Sequence, residues 1–328
     1  MHLSAIFLAS FLQGSAHAHT FIWGVFVNGV DQGTFKGIRI PAYNGAPGGG
    51  GYNNSPVKNL TSIDMRCNVM GDIQAPDTIK VAPGDNLTFD WHHDYRNLTD
   101  DIIADSHHGP SLIYLSPDPP TENSFVKIWH EGLYQEGLPA GKWSTTSNMR
   151  AKNGRMNMRI PAGLKAGKYL IRAEMIGLHE GEVSFLKNPI RGAQFYPDCV
   201  QVEVVGDGDV ELPKGVSFPG AYSYEDPGVV YDVYCSKEQA TRTYKCTTTY
   251  PIPGPTVWSG AWAETTSVPT SGIVGPTTAT PWSTWIKNSV VTSATFTDKK
   301  SITVLGTSTY KAKWSATYQT PTPATKRW

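Results

Sequence analysis

From His19 to Trp258 the chain alternates short runs of β-branched, aromatic and aliphatic residues with clusters of Gly, Pro, Asn and Asp. That spacing leaves room for many short strands and little else. "TFIWGVFVNG" is the first such run, closed by "NGVDQG". "DTIKVAPGDNLTFDW" reads as two strands around Pro83-Gly84-Asp85, and "SLIYLSP", "GRMNMRIP", "GKYLIRAEMIGL" and "QFYPDCVQVEVVG" read as further strands. The expected fold is all-β, an immunoglobulin/fibronectin-like β-sandwich with long surface loops. The 32 Gly and 24 Pro supply its turns, and a hydrophobic content of 39% supplies its core. Irregular stretches such as "PAYNGAPGGGGYNNSP" are long enough to act as binding loops.

The two ends of the chain read differently. Leu3 to Leu12, "LSAIFLASFL", is an apolar run suited to a signal-peptide core and too short to span a bilayer. Residues 1–18 are therefore expected to be a leader, and the mature protein to be secreted and extracellular, without a membrane partner. Residues 259–328 form a Ser/Thr/Pro-rich extension expected to be disordered. From residue 263 on, that extension has seven basic and two acidic residues, against 28 of each in the whole chain, so the rest carries a net charge of −5. The overall balance speaks against a nucleic-acid partner. Trp282, Trp285, Trp314 and Trp328 leave room for polysaccharide contact by the tail.

Secretion favours disulfides over thiols. Cys67, Cys199, Cys235 and Cys246 allow three pairings, of which Cys67–Cys199 with Cys235–Cys246 is favoured. Sequons at Asn53, Asn59, Asn86 and Asn97 fit an extracellular surface.

Of nine histidines, His92 and His93 in "DWHHDY" read as a strand end and loop, because adjacent strand residues face opposite ways. His130 reads as surface. His19 differs, because cleavage could make it the first residue. Cutting after Ala16-His17-Ala18 frees His19; cutting after Gly14-Ser15-Ala16 frees His17 instead. The strand that starts at Thr20 favours the first cut. An N-terminal histidine offers its α-amine, with a pKa of about 7.7–8.0, and its ring Nδ1 to one metal. A second imidazole opposite would complete a set of three nitrogens, a set that suits copper.

A prospective N-terminal His, "DSHHGPSLIYLSP" and "GAQFYPDC" occur in that order, flanked by "SPVKNLTSIDMRCN" and "VSFPGAYSYEDPG". Together, from His19 to about Trp258, they resemble the fungal lytic polysaccharide monooxygenases of auxiliary-activity family nine, formerly glycoside hydrolase family sixty-one. The resemblance implies one copper ion per chain held by His19 and by His107, the first residue of H-x-G-P, with Tyr196 of Q-x-Y on the axial side. It implies outer-sphere roles for Gln194 and His179, although "EGEVSFLKNPIRGA" is longer than the family's usual spacing and could displace His179. The implied activity is oxidative cleavage of a β-1,4-glucan such as cellulose at C1, C4 or both, using O2 or H2O2 and an external small-molecule or protein electron donor. A monomer is expected. Tyr43, Tyr52, Tyr224 and Tyr250 are candidates for a flat substrate-binding platform. Two competing readings are a non-catalytic copper- or glycan-binding protein on the same fold and a glycoside hydrolase. The hydrolase would need paired carboxylates, and no convincing pair stands out.

Overall fold

The computed structural model describes residues 19–41, 54–94, 96–97, 99–100, 102–137, 140–234 and 249–262, together with two strands at 294–298 and 301–304. The expected strands form: β1 (Phe21–Val27), β4 (Ile79–Val81), β5 (Asn86–His92), β6 (Ser111–Pro117), β10 (Arg155–Arg159), β11 (Gly167–Gly177) and β12 (Gln194–Val204). Between them lie β2 (Val30–Thr34), β3 (Ile38–Arg39), β7 (Val126–Glu131), β8 (Leu133–Gln135) and β9 (Lys142–Trp143). A short helix α1 (Asp64–Cys67) and a π-helical turn (Ser144–Met149) complete this part.

The strands form a β-sandwich. One sheet has the order β10-β5-β1-β2, and the other β3-β12-β11-β6-β7 with β4 added in parallel beside β12. Strands β4 and β5 are consecutive in sequence, yet they lie in different sheets, so the turn at Pro83-Gly84-Asp85 passes the chain across the sandwich.

Residue parity explains why the large sheet reads as nearly continuous apolar runs. In β6, β11 and β12, residues Ile113, Leu115, Ile171, Ala173, Met175, Tyr196, Val200 and Val202 face the core between the sheets. Their alternates Leu112, Tyr114, Leu170, Ile176, Phe195 and Cys199 face a second core. That outer core is roofed by irregular segments that contribute Val57, Leu60, Phe218, Tyr222 and Val229. Both faces of the sheet are therefore buried, and period-two alternation of polarity disappears from its strands.

The expected Cys67–Cys199 bridge is present and fastens α1 to β12 across a separation of 132 residues. In the chain-entropy model a loop of that length gives about 5 kcal/mol. Beneath it, the fully buried Arg172 donates to the carbonyls of Met65 and Arg66 and pairs with Glu174 at 2.5 and 2.8 Å. Packing on the domain continues to Trp262, whose indole N–H donates to the Ile160 carbonyl at 3.0 Å under the Arg159 guanidinium. Within the extension, β13 (Ala294–Asp298) and β14 (Ser301–Val304) pair antiparallel. The Cys235–Cys246 pair, Tyr43, Tyr52, Asn53 and the four tail tryptophans lie outside the described residues.

Candidate metal centre at the end of the sandwich

Three strand ends of the large sheet meet at one edge. In the antiparallel ladder Met175 pairs with both Ser111 and Tyr196, and Gly177 pairs with Gln194. The start of β6, the end of β11 and the start of β12 therefore lie together. His107 precedes β6, His179 follows β11, and Gln194 and Tyr196 share one face of β12. The other sheet contributes His19, which immediately precedes Thr20 and β1; its ring centroid is 6.3 Å from that of Tyr196.

The H-x-G-P turn is shaped by close backbone approach. A Cβ on Gly109 would sit 1.8 Å from the Ile176 carbonyl oxygen, so only glycine fits there. The Ile176 N–H donates to the Pro110 carbonyl, the Leu178 N–H to the His108 carbonyl, and the Thr145 hydroxyl to the His107 carbonyl at 2.6 Å. Opposite the His107 ring stands Gly177, where a Cβ would come within 2.9 Å of the ring. The His107 imidazole is thus held on both its backbone and its face. His108 turns aside to Thr146 Oγ1 at 2.8 Å and meets the Tyr234 ring edge-on.

His107 Nε2 lies 3.1 Å from Gln194 Oε1 and 3.1 Å from the Tyr196 hydroxyl. The Tyr196 hydroxyl donates to Gln194 Oε1 at 2.7 Å. On the other side of the amide, Gln194 Nε2 donates to Glu180 Oε2 at 3.1 Å and lies 3.3 Å from His179 Nε2. Only one orientation of the Gln194 amide satisfies both the tyrosine donor and the carboxylate acceptor. Glu180 is in turn paired with Lys58 at 2.9 Å. The rings of His107 and His179 lie 3.9 Å apart, so the long segment before Gln194 does not carry His179 away from the site.

Burial, followed by the neighbouring His179 and His19 rings, pushes His107 down to about 3. Burial also pushes His179 down to about 4, against the pull of Glu180. Both rings are therefore neutral at ordinary pH and offer nitrogen lone pairs. Ser106 Oγ lies 3.2 Å from His107 Nδ1 and can accept its proton in the tautomer that frees Nε2. Burial holds the Tyr196 phenol well above its ordinary range, which keeps it a neutral donor.

The other candidates fall elsewhere. Tyr224 is half-buried, stacked at 6.4 Å on Phe185, and its hydroxyl accepts the Leu60 N–H. Tyr250 packs edge-to-face with Trp143 and Tyr231, whose rings also meet each other, and donates to the Gly228 carbonyl at 2.6 Å. Asn59 and Asn97 are exposed, and each accepts from the sequon threonine two residues on. Asn86 opens β5, and the Thr88 of its sequon is buried on Asn157. His92 ends β5, as expected. His130 is half-buried beside Lys127 rather than simply on the surface. His93, Asp94 and Asp100 bring ligand-type atoms within 4.8 Å of one another, a spacing that exposed acids often reach without a metal. Sequence reasoning did not single out Glu180 or Ser106; the acid in "LHEG" was visible, but its reach to Gln194 was not.

Residues 19–244 match Auxiliary Activity family 9 (formerly GH61), and the chain belongs to that family. Its relatives are named lytic polysaccharide monooxygenases, and the family defines an oxidoreductase of the monooxygenase kind. The AA9 family lytic polysaccharide monooxygenase A of Aspergillus clavatus is 41% identical over 85% of this chain and 73% of its own length. The Schizophyllum commune protein of the same name is 40% identical over 80% of this chain and 98% of its own length. Among solved structures, CvAA9A superposes with a TM-score of 0.62 at 36% identity, covering 74% of this chain and 99% of that one. The extended catalytic domain of H. jecorina LPMO9A gives 0.54 at 26% identity, covering 80% and 97%. Among the described residues no helix is long and apolar enough to cross a membrane.

Proposed function

We propose that the chain is a secreted, copper-dependent monooxygenase that oxidatively cleaves a β-1,4-glucan, cellulose foremost, at C1, C4 or both. One observation carries this reading. His107 Nε2, the Tyr196 hydroxyl and the Gln194 amide converge at the sandwich end where β1 brings in His19, the residue at which the family match begins. The donor set fits copper: neutral imidazoles, a phenol held as a neutral group, and an α-amine that cleavage before His19 would create. Copper bound there would supply one-electron redox chemistry with O2 or H2O2 after reduction by an external donor.

The chain's own groups do the rest. His19 and His107 would hold the metal, with the Tyr196 hydroxyl beside His107 Nε2. Gln194, with its amide N–H directed to the His179 and Glu180 side, and His179 itself would provide hydrogen-bonding groups beside the metal. The mature protein begins "HTFIWG" and acts as a monomer at an insoluble surface.

A displaced His179 would favour the non-catalytic alternative; the 3.9 Å contact of its ring with His107 supports the catalytic reading instead. A hydrolase would need two free carboxylates flanking a bond, whereas Glu180 is committed to Lys58 and Gln194.

Mass spectrometry of sugars released from cellulose by the copper-loaded mature protein and ascorbate tests the proposal. Aldonic acids or C4-ketosugars are expected, absent with His19→Ala; unoxidised oligosaccharides alone would return the hydrolase reading. A second expected result concerns Glu180. Glu180→Leu frees the Gln194 amide to turn and should lower turnover roughly 10–100-fold, the usual effect of losing an outer-shell partner. Glu180→Gln, which can still accept the Gln194 N–H, should retain most of it. Equal losses in the two variants would mean that charge, not orientation, is what Glu180 provides.

A further inference from the structure

Chain ends fray unless the fold ties them down, and a metal ligand on the first residue cannot be allowed to fray. Pairing of β1 with β2 stops at Gly24↔Thr34, and the register with β5 shifts between Ile22 and Gly24 before resuming at Ile22↔Trp91 and Phe21↔His92. Ile22 therefore lies beyond the end of the β2 ladder. Its N–H is donated across the sandwich, to Asp198 Oδ2 in β12 at 2.6 Å.

Asp198 is fully buried and shares its face of β12 with Gln194 and Tyr196. Its neighbours on that face, Tyr196 and Val200, and its partner Ile22 belong to the core between the sheets. Core packing gives no reason for an acid here, because a buried polar group is costly without partners. Its second oxygen, Oδ1, has no hydrogen-bond partner among the described residues. Burial pushes the carboxyl well above the ordinary carboxylate range, and the Ile22 N–H is the main group that opposes this. An apolar side chain would serve the core better; what it could not do is hold β1.

We propose that Asp198 is a positioning residue for the metal centre: it clamps β1 to β12 at Ile22 and so fixes His19 opposite His107 and Tyr196. Two successive rungs of contact join the sheets here. His19 faces Tyr196, and Ile22 bonds Asp198 two residues further along β12. The inference rests on the reading of His19 as the N-terminal copper ligand. The clamp itself needs no metal, and that separates the two.

The test uses the mature protein starting at His19, its Asp198→Ala and Asp198→Asn variants, and two readouts. One is hydrogen exchange of the Ile22 amide in the metal-free protein; the other is Cu(II) affinity by calorimetric titration. In the wild type the Ile22 amide should exchange as slowly as the paired amides of β1. Asp198→Ala should speed that exchange and weaken Cu(II) binding roughly 10–100-fold, the range for residues that orient a ligand from outside the metal's own shell. Asp198→Asn keeps an acceptor and should bind Cu(II) within about threefold of wild type, since its carbonyl can take the same N–H. Wild-type Ile22 exchange or wild-type Cu(II) affinity in Asp198→Ala would overturn the clamp. If Asp198→Ala does not fold, a fast Ile22 amide in the wild type, or a tenfold affinity loss in Asp198→Asn, overturns it instead. A wild type that binds no copper would refute the copper reading, and the Ile22 exchange rates would still decide the clamp.

Discussion

His107→Ala should abolish tight copper binding and oxidative cleavage together while leaving the fold intact. The His107 imidazole is held in one pose by the Thr145 hydroxyl on its carbonyl, Gly177 against its ring and the Gln194–Tyr196 pair at Nε2. The Thr145 bond is made to the backbone carbonyl, so the turn keeps that tie when the ring is removed. Losing an outer partner commonly costs 10–100-fold in metal affinity, so losing a ligand should exceed about 100-fold. Calorimetric titration with Cu(II) reads the affinity, and circular dichroism checks that the sandwich survives. Unchanged affinity in a folded His107→Ala protein would remove this residue from the metal centre.

The largest stability effect should come from the far side of the large sheet. Glu174→Ala leaves Arg172 fully buried with no carboxylate opposite it. Breaking a buried pair in this way typically costs about 3–5 kcal/mol, a large part of the 5–15 kcal/mol that holds a domain together. The change also strips the Tyr222 hydroxyl of its acceptor at 2.7 Å and loosens the loop that carries Phe218. For a domain of this size the melting temperature should fall on the order of 10 °C in a thermal unfolding scan. Arg172→Met with Glu174→Leu should recover much of the loss, because it removes both charges rather than one. A single variant that melts like the wild type would show that the pair is solvated in the folded protein.

The strands that carry the site were legible because each is a long run of strand-forming residues closed by Gly, Pro or Asp. The pairing of "DTIKVAPGDNLTFDW" was not: its two strands join different sheets, and which sheet a strand joins is decided by partners far away in sequence. β3 and β9 are two residues long, and the π-helical turn "STTSNM" has no apolar period to announce it. At the site, His107, Gln194 and Tyr196 stood in motifs with fixed spacing. Glu180 and Asp198 drew no role from spacing, although Asp198 sits inside "GAQFYPDC", since their importance comes from burial and from contacts 14 and 176 residues away. Tyr250 went the other way: an aromatic in a loop looked like a surface contact, but it joins a cluster in which its ring, Trp143 and Tyr231 all meet edge-to-face.

Cu(II) titration of the chain starting at His19, set beside the same chain with Ala18 left in front, tests the metal centre most directly. The extra residue turns the α-amine, whose pKa of about 7.7–8.0 lets a metal displace its proton, into an amide that holds its proton far more tightly. The chain starting at His19 should bind one Cu(II) tightly, and the extended chain should bind at least about 100-fold more weakly, as expected when a ligand rather than an outer partner is lost. Equal affinity and the same Cu(II) spectrum in the two chains would contradict a copper centre built on the N-terminal histidine.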